Sequence, residues 1–539
     1  MIAKVAANQW GYLPDAPKHA VWVTDTVTSA PFTVLTADGA AALRGLSQPW
    51  PERPEPTSGL SVHLLDLTAC TTAGSDYRIA AGDDRSHPFR IAADLYDDLS
   101  RDAFGLFYLL RSGCAIDERR APGYGRPAGH IGDTAVRALE LDGTFDVSGG
   151  WYDAGDYGKY VVSGSIALWQ LLHLLRLLRR RPGAVAEAEV IEECRWQLDW
   201  LLRMQVPPGQ PLAGTAFHRV HGTEWSPMPG LPHDDPTERV LHGPSTAATL
   251  HLAAVAALGA RLLGTDRPLA AARAAWRAAR AHPDLIAPDD EGRHGGGPYG
   301  DPVLADDFYW AAAELWLATG EDEFRDFLRD SPEHTADAFD LGGFDFDRVT
   351  GPARLDLATG ERRLPEHDRI VRDVCDAAER LRDLQSRQPW GQPYAPPDGW
   401  HWGSNGRILN NLVVLATAHE LTGDRRFRDA VATGVDYLLG RNALGKSYVV
   451  GYGTDASAHL RTRQFGHDLD PSLPPPPPGA LAGGANSMRY AGFPSDPRLD
   501  GLPPQCCYLD EPTSEVTNDI CIRWNAPLAY IAAYLSSAS

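Results

Sequence analysis

The feature that most constrains the fold is a change in the spacing of apolar residues near residue 90. From Leu95 onward they recur at helical spacing, in segments 94–112, 161–180, 188–204, 245–264, 268–281, 305–319, 366–384, 406–421, 426–440 and 522–536. Before that point, short β-rich runs at 20–24, 32–35 and 61–65 lie between clusters of Gly, Pro and Asp. The sequence therefore predicts a multidomain chain, with a small all-β sandwich over residues 1–86 and an all-α toroid of helical hairpins over residues 87–539.

Composition narrows the class of protein. A chain of 539 residues exceeds one ordinary core, and 43% hydrophobic with 22% charged residues is typical of a globular protein. The formal charge of −21 argues against binding nucleic acid or an anionic membrane, because phosphate groups require a basic face. No apolar run reaches the ~18 residues of a membrane span. Residues 1–9 contain no apolar signal core, which predicts a cytoplasmic protein, or a secreted one if a leader has been removed.

One stretch, residues 149–160, carries the strongest chemical signal. Its sequence GGWYDAGDYGKY sets Asp153 and Asp156 three residues apart in a turn-like segment, so that both carboxylates can converge on one point. Two such carboxylates bind calcium, hold a water as a base or cap the next helix. The flanking aromatic residues favour sugar hydrolysis, because aromatic faces and paired carboxylates are how proteins bind and cleave glycosides.

This stretch also resembles the DAGD signature of glycoside hydrolase family 9, the inverting β-glucanases. The opening NQWGYLP at 8–14 is similar to the start of the immunoglobulin-like domain of bacterial members, and 440–453 and 524–528 are similar to further family segments. The resemblance covers essentially the whole chain. It implies an immunoglobulin-like sandwich and an (α/α)6 barrel of the endoglucanase and cellulase type, which cleaves β-1,4-glucosidic bonds. It also implies that Asp156 is the base and that Asp153 helps to hold the water.

The general acid is where the chain departs from the family. The family has a glutamate in a stretch resembling Y-x-D-x4-aromatic-x3-E-x-A-x3-N-A, and residues 508–526 align with it without a gap. Asp510 matches, but the acid position carries Asp519 and the aromatic position carries Glu515. Either Asp519 acts with one methylene less of reach, or Glu515 moves in to replace it. The register favours Asp519.

Two further stretches suggest substrate contacts. The loop that resembles the family's P-x-H-P-H-H-R segment keeps His459 and Arg463 but has Arg461 in place of the second histidine. The aromatic residues at 390–402 lie in a loop rich in Pro and Gly, which favours a sugar-binding cleft over a satellite hydrophobic cluster. The predicted substrate-binding residues are His459, Arg461, Arg463, Trp400, Trp402, Tyr452 and Asp510.

A metal is not expected to take part in catalysis. Several bacterial relatives carry a structural zinc, but the corresponding positions here are Cys114, Gly129, His130 and Tyr152, and two ligands do not close a tetrahedral site. We therefore predict that the zinc site is lost and that no cofactor is required. The acidic loops at 234–235 and 289–291 could hold structural calcium, although no EF-hand-like spacing singles one out.

Two other functions stay open at this point. One is an exo-acting glycosidase, such as an exo-β-glucosaminidase on chitosan oligosaccharides, because Glu515 could bind a cationic sugar. The length of the products would separate this from endo cleavage. The other is a degenerate family member that binds glycans without cleaving them, against which the intact DAGD segment argues. In each case the expected partner is an oligosaccharide or a polysaccharide.

Overall fold

The computed structural model describes residues 4–288 and 294–537, and its N-terminal part is a β-sandwich. One sheet has the strand order β1-β3-β7-β6, and the other has the order β2-β10-β8-β4-β5 with β9 paired to β8. Alternate residues of β4, Phe32 and Val34, face the core, as expected for a half-buried strand. The strands are β1 (Val5–Ala6), β2 (Gly11–Tyr12), β3 (His19–Val23), β4 (Pro31–Leu35), β5 (Ala41–Leu46), β6 (Gln48–Pro49), β7 (Val62–Asp66), β8 (Gly74–Ala81), β9 (Asp84–Arg85) and β10 (Phe89–Ile91). Because β10 pairs with both β2 and β8, the sandwich continues to Ile91.

The rest of the chain is a helical barrel. Its helices are α1 (Asp97–Leu109), α2 (Val161–Arg180), α3 (Glu187–Arg203), α4 (Thr246–Leu263), α5 (Asp266–Ala281), α6 (Ala305–Thr319), α7 (Asp322–Asp330), α8 (Thr350–Thr359), α9 (His367–Ser386), α10 (Ser404–Thr422), α11 (Arg425–Leu438), α12 (Glu515–Asn518) and α13 (Ile522–Ser537). Helices α2, α4, α6, α8, α10 and α13 contact one another in that order and close into an inner ring. Helices α1, α3, α5, α7, α9 and α11 pack outside them, so the described helices form the predicted (α/α)6 barrel.

Residue patterns explain which helices lie inside. The outer helix α9 buries a stripe that includes Ile370, Val374, Ala377 and Leu381, at the spacing of one helical face. The inner helices α2 and α4 are apolar on nearly all sides. Contrary to the expectation from the sequence, both are long and apolar enough to cross a membrane, but 94% and 89% of their most apolar windows are buried within the protein, as expected for core helices of the barrel.

A five-stranded sheet that the sequence did not predict covers one end of the barrel. It contains β11 (Val136–Ala138), β12 (Thr144–Phe145), β13 (Lys159–Tyr160), β14 (Ala216–Gly222) and β15 (Arg239–Ser245). Strand β13 directly precedes α2. The Lys159 ammonium is fully buried, where it pairs with Asp133 at 2.7 Å and donates to the carbonyl groups of Val147 and Gly149. These contacts fix the segment that carries Asp153 and Asp156.

Candidate active site

A cleft lies at the end of the barrel where the inner-ring helices begin. It contains a cavity of about 350 Å³, near the lower end of the ~300–1,000 Å³ usual for ligand pockets. Loops before α2, α6, α8, α10 and α13 form its walls. It brings together most of the residues predicted to be catalytic or substrate-binding, namely Asp153, Asp156, Glu515, Asp519, Arg461, Arg463 and Trp402.

Asp153 is the buried carboxylate of the pair. Its Oδ1 accepts a hydrogen bond from the Ser163 hydroxyl at 2.5 Å, and its Oδ2 accepts one from the Tyr299 hydroxyl at 2.6 Å. The Cys521 thiol also donates to Oδ2, at 3.5 Å. Burial and the nearby charge of Asp156 raise the pKa of Asp153 to about 6, although the two hydroxyl donors oppose this shift.

Asp156 is the more accessible carboxylate. Its Oδ2 accepts hydrogen bonds from the Tyr160 hydroxyl at 2.8 Å and from the Gly158 amide at 3.0 Å. Its Oδ1 receives no hydrogen bond from the residues that the structure describes. One oxygen is thus held in place while the other is available to a water in the cleft, which is the arrangement that a general base requires.

Asp519 lies directly against the loop that carries these two carboxylates. Its Oδ1 accepts hydrogen bonds from the backbone amides of Gly155 at 3.0 Å and Ile520 at 2.9 Å. Removal from bulk water raises the pKa of Asp519 well above its usual range, and the charges of Glu515 and Asp156 add to this effect. A carboxyl group that keeps its proton near neutral pH can act as a general acid.

Glu515, the alternative acid, is already engaged at the edge of the cleft. It begins the short helix α12, and its Oε1 forms an ion pair with Nη2 of Arg461 at 3.0 Å. The other terminal nitrogen of Arg461 contacts the Met228 sulfur at 3.0 Å. The geometry therefore places Asp519 against the DAGD loop and gives Glu515 a different partner.

Arg463 lines the cleft, but its guanidinium group donates hydrogen bonds to backbone carbonyl groups of the protein. Its Nη1 donates to the Gly155 carbonyl at 2.8 Å, and its Nε donates to the Ser226 carbonyl at 2.9 Å. Its backbone amide also donates to the Gly155 carbonyl. Arg463 thus fixes the position of the turn between Asp153 and Asp156.

Two predicted sugar contacts are wrong because their side chains belong to the core. Trp400 is only 3% exposed and packs edge-on against Tyr394, with ring centroids 5.1 Å apart. Tyr452 is 2% exposed, donates a hydrogen bond to Asp102 at 2.7 Å and packs against Trp10 of the sandwich. Neither ring reaches the described lining of the cleft.

Asp510 and His459 also lie outside the cleft lining, which corrects their predicted role in substrate binding. The Asp510 carboxylate accepts hydrogen bonds from Lys446 at 3.2 Å and from the backbone amides of Ala458 and His459, so it stabilises the loop. The His459 ring is exposed and contacts Asp468 at 2.8 Å. The aspartate that matches the family is therefore a loop-stabilising residue here.

The cleft also contains aromatic residues that the sequence analysis did not single out. Trp402 packs against Phe493 and Tyr490, with centroid distances of 5.2 and 5.7 Å, and Phe493 also contacts Trp225. These rings provide the apolar surface on which sugar C–H faces stack. Of the aromatic residues in the lining, Trp402 was predicted from the sequence, and Tyr160 ends the DAGD stretch. Trp225 comes from one loop without periodicity, and Tyr490 and Phe493 come from another.

The residues at the former zinc position do not fit that metal. The His130 ring contacts the Tyr152 hydroxyl at 2.7 Å through Nδ1 and Asp235 at 3.1 Å through Nε2, so both nitrogens have protein partners. A Cβ atom on Gly129 would lie only 2.7 Å from the Tyr152 hydroxyl. Among the described residues, no group of three or more His, Cys, Asp or Glu side chains is arranged to hold a metal ion.

Of the two loops suggested for calcium, one is already satisfied by protein groups. Asp235 accepts hydrogen bonds from Ser226 and Thr237 in addition to its contact with His130. The second loop, 289–291, lies outside the described residues.

Comparison with known proteins identifies the family. The family model described as Glycosyl hydrolase family 9 matches residues 96–532. The chain belongs to glycoside hydrolase family 9. Residues 2–86 match the model of the cellulase N-terminal Ig-like domain, in agreement with the observed sandwich. Asp153 and Asp156 of the DAGD loop both line the cleft of this family 9 protein.

Several relatives of known name extend over the whole chain. Endoglucanase C of Cellulomonas fimi is 45% identical over 99% of this chain, and cellulose 1,4-beta-cellobiosidase of Acetivibrio thermocellus is 36% identical over 98%. The chain spans about half (52%) of the length of the endoglucanase and 67% of the length of the cellobiosidase. A metagenome-derived family 9 endoglucanase superposes with a TM-score of 0.87 at 29% identity, with 99% of each chain covered. AaCel9A in complex with cellobiose-like isofagomine superposes with a TM-score of 0.85 at 25% identity.

Proposed function

We propose that this family 9 hydrolase cleaves β-1,4-glucosidic bonds of glucans or cello-oligosaccharides with inversion at the anomeric carbon. The observation that carries the proposal is the hydrogen bond between the Gly155 amide and Asp519, which joins the proposed acid to the loop of the proposed base. Names of the relatives, with endoglucanase and cellobiosidase among them, support a β-1,4-glucan as substrate.

The base side of the reaction uses the DAGD loop. A water held by Asp156 Oδ1 attacks the anomeric carbon from the face opposite the leaving group, and Asp156 takes up its proton. Asp153 is fixed by Ser163 and Tyr299 and helps to orient that water. The electron pair of the glycosidic bond passes to the leaving oxygen as the new C–O bond forms.

The acid side uses Asp519, which donates its proton to the leaving oxygen. The raised pKa of Asp519 keeps that proton in place before the reaction. After turnover, exchange with solvent returns a proton to Asp519 and removes one from Asp156. All of these steps use carboxyl groups and water, so we expect no cofactor to be required.

The amino-sugar alternative loses its structural basis at Glu515. A free carboxylate in the cleft would favour a cationic sugar, but Glu515 is paired with Arg461 at 3.0 Å. That pairing neutralises the charge on which recognition of glucosamine would depend. The partner that we propose is accordingly a neutral glucan chain or oligosaccharide. The cytoplasmic location stays a prediction.

The decisive experiment is an anomer-resolved NMR time course with cellotetraose. We expect the wild-type protein to release α-anomeric products first, and Asp156→Asn, which keeps the shape of the side chain, to release none at a comparable rate. Initial β-anomer release would contradict inversion. No turnover of any β-1,4-glucan by a folded wild-type protein would contradict the proposed function.

A further inference from the structure

The ion pair between Arg461 and Glu515 occupies two positions where the sequence departs from its family, and it lies beside the proposed acid. The second histidine of the family loop is replaced by Arg461, and the aromatic residue of the acid segment is replaced by Glu515. Their side chains meet at 3.0 Å. The anion, Glu515, lies four residues before Asp519 in the sequence, and the backbone of the cation, Arg461, lies next to that of Asp519.

The backbone brings Arg461 and Asp519 together independently of their charges. The two residues form an isolated parallel β-bridge, and the Arg461 amide donates to the Asn518 carbonyl at 2.9 Å. The Arg461 carbonyl also packs so closely on Gly155 that a Cβ atom there would overlap it. Arg461 therefore belongs to the same hydrogen-bonded backbone segment that positions Asp519 against the DAGD loop.

The ion pair of Arg461 and Glu515 is sufficiently buried for its charges to affect the pKa of Asp519. The side chains of Arg461 and Glu515 are 19% and 26% exposed, so their charges are screened less than those of a surface pair. They act on Asp519 in opposite directions: Arg461 lowers the pKa of Asp519 and Glu515 raises it. The other titratable groups that face Asp519 are Asp156 in the DAGD loop and the thiol of Cys521, whose own pKa is raised by burial.

We propose that Arg461 and Glu515 form a positioning pair that sets the protonation of the Asp519 acid, with Glu515 holding the Arg461 guanidinium away from that carboxyl group. This inference rests on the proposed function of Asp519 and deepens it. It assigns Glu515 a role other than that of a substitute acid.

The two single substitutions are expected to have opposite effects on the alkaline limb of the kcat/KM profile, where Asp519 loses its proton. Glu515→Gln removes a negative charge and frees Arg461 to act on Asp519, so the limb moves to lower pH. Arg461→Gln removes the cation and leaves Glu515 unpaired, so the limb moves to higher pH. Each shift should be about half to one pH unit, because a nearby charge shifts a pKa by about one unit or more and solvent reduces the effect of a partly exposed pair.

The experiment measures kcat/KM for cellotetraose with the wild type, the two single variants and the double variant. The pH range, about 4 to 10, extends roughly three units on either side of neutrality and spans both limbs of the profile. The double variant, which lacks both charges, is expected to return close to the wild-type profile. Binding of sugar by Arg461 alone would change KM without moving the limb. Melting temperatures of the four proteins report whether each variant is folded.

Three results would overturn the inference. An unchanged alkaline limb in both single variants would show that the pair is only structural. Loss of turnover in Glu515→Gln, with turnover retained in Asp519→Asn, would make Glu515 the acid. No turnover of a β-1,4-glucan by the folded wild type would overturn the proposed function and this inference with it. That result differs from the other two because it is seen in the wild type, before any substitution is made.

Discussion

The backbone amide of Gly155 donates a hydrogen bond to Asp519 at 3.0 Å, across 364 residues of sequence. This contact places the proposed acid against the turn between Asp153 and Asp156. The same glycine accepts two hydrogen bonds from Arg463 through its carbonyl group. The proposed acid and the proposed base are therefore fixed to one turn, which can set the distance between them more precisely than two separate loops could.

The first prediction concerns the close approach at this glycine. In Gly155→Ala, the new methyl group would lie 2.7 Å from Asp519 Oδ1 and overlap the Arg461 carbonyl, so the acid must move. We expect kcat/KM for cellotetraose to fall by about 100-fold, because catalytic groups tolerate little misplacement. Ala154→Gly, a substitution one residue earlier in the same turn, is the control for effects that come from changing the flexibility of the turn. Comparable activity of Gly155→Ala and the wild type would contradict the proposed geometry.

A second prediction separates acid catalysis from folding. Asp519→Asn should lower kcat for cellotetraose by about 10²- to 10⁴-fold, the usual contribution of a general acid. Hydrolysis of 2,4-dinitrophenyl β-cellobioside should fall far less, because that leaving group departs without protonation. Steady-state rates on the two substrates provide the measurement. An equal loss on both would mean that Asp519 has a role other than proton donation.

Much of the fold could be predicted because it depends on local periodicity. Every helical segment predicted from apolar spacing coincides with an observed helix, but α7, α8 and the four-residue α12 were missed. Helix α7 has only 9 residues, and α8 is buried on nearly all sides and contains Gly351 and Pro352. A helix without a polar face has no amphipathic signal. The sheet of β11 to β15 was missed because its pairs, such as Arg137 with Val240, are far apart in sequence.

The active site divides in the same way. Asp153, Asp156 and Asp519 could be found because they lie in segments with a recognisable pattern. Tyr299, which donates to Asp153, lies 146 residues from it in a loop without such a pattern. Trp400 was misassigned because a loop rich in Pro and Gly predicts exposure, whereas this loop is held in the core by contacts such as that of Trp390 with Glu55 of the sandwich.

A third prediction concerns the pH dependence on the acidic side. Tyr299 stabilises the charged form of Asp153 by a hydrogen bond at 2.6 Å, so Tyr299→Phe should raise the pKa of Asp153 above its value of about 6. Since the water-holding pair must be ionised, activity at low pH is lost first, and the acidic limb of kcat/KM should move upward by about half to one unit. The measurement is the pH profile for cellotetraose.

Tyr490→Phe is the matched control for this prediction. Its hydroxyl lies in the same cleft but accepts a hydrogen bond from the Trp402 amide at 3.0 Å rather than donating to a carboxylate. The acidic limb of the kcat/KM profile of Tyr490→Phe should therefore match that of the wild type. An equal displacement in both variants would point to a general change in the cleft, and no displacement in Tyr299→Phe would separate Asp153 from the acidic limb.

The last prediction concerns His130, which has a hydrogen-bonding role where relatives place a zinc ligand. Its two ring nitrogens connect Tyr152 and Asp235, and all three side chains are largely buried. His130→Ala should lower the free energy of unfolding by about 1–3 kcal/mol, since it removes two buried hydrogen bonds that contribute roughly 0.5–1.5 kcal/mol each. Because we expect no zinc at this site, the loss should be the same in EDTA as in added zinc. Denaturant unfolding of wild type and variant in both buffers measures it. A wild-type protein that carries one zinc per chain and is destabilised by EDTA would contradict this assignment.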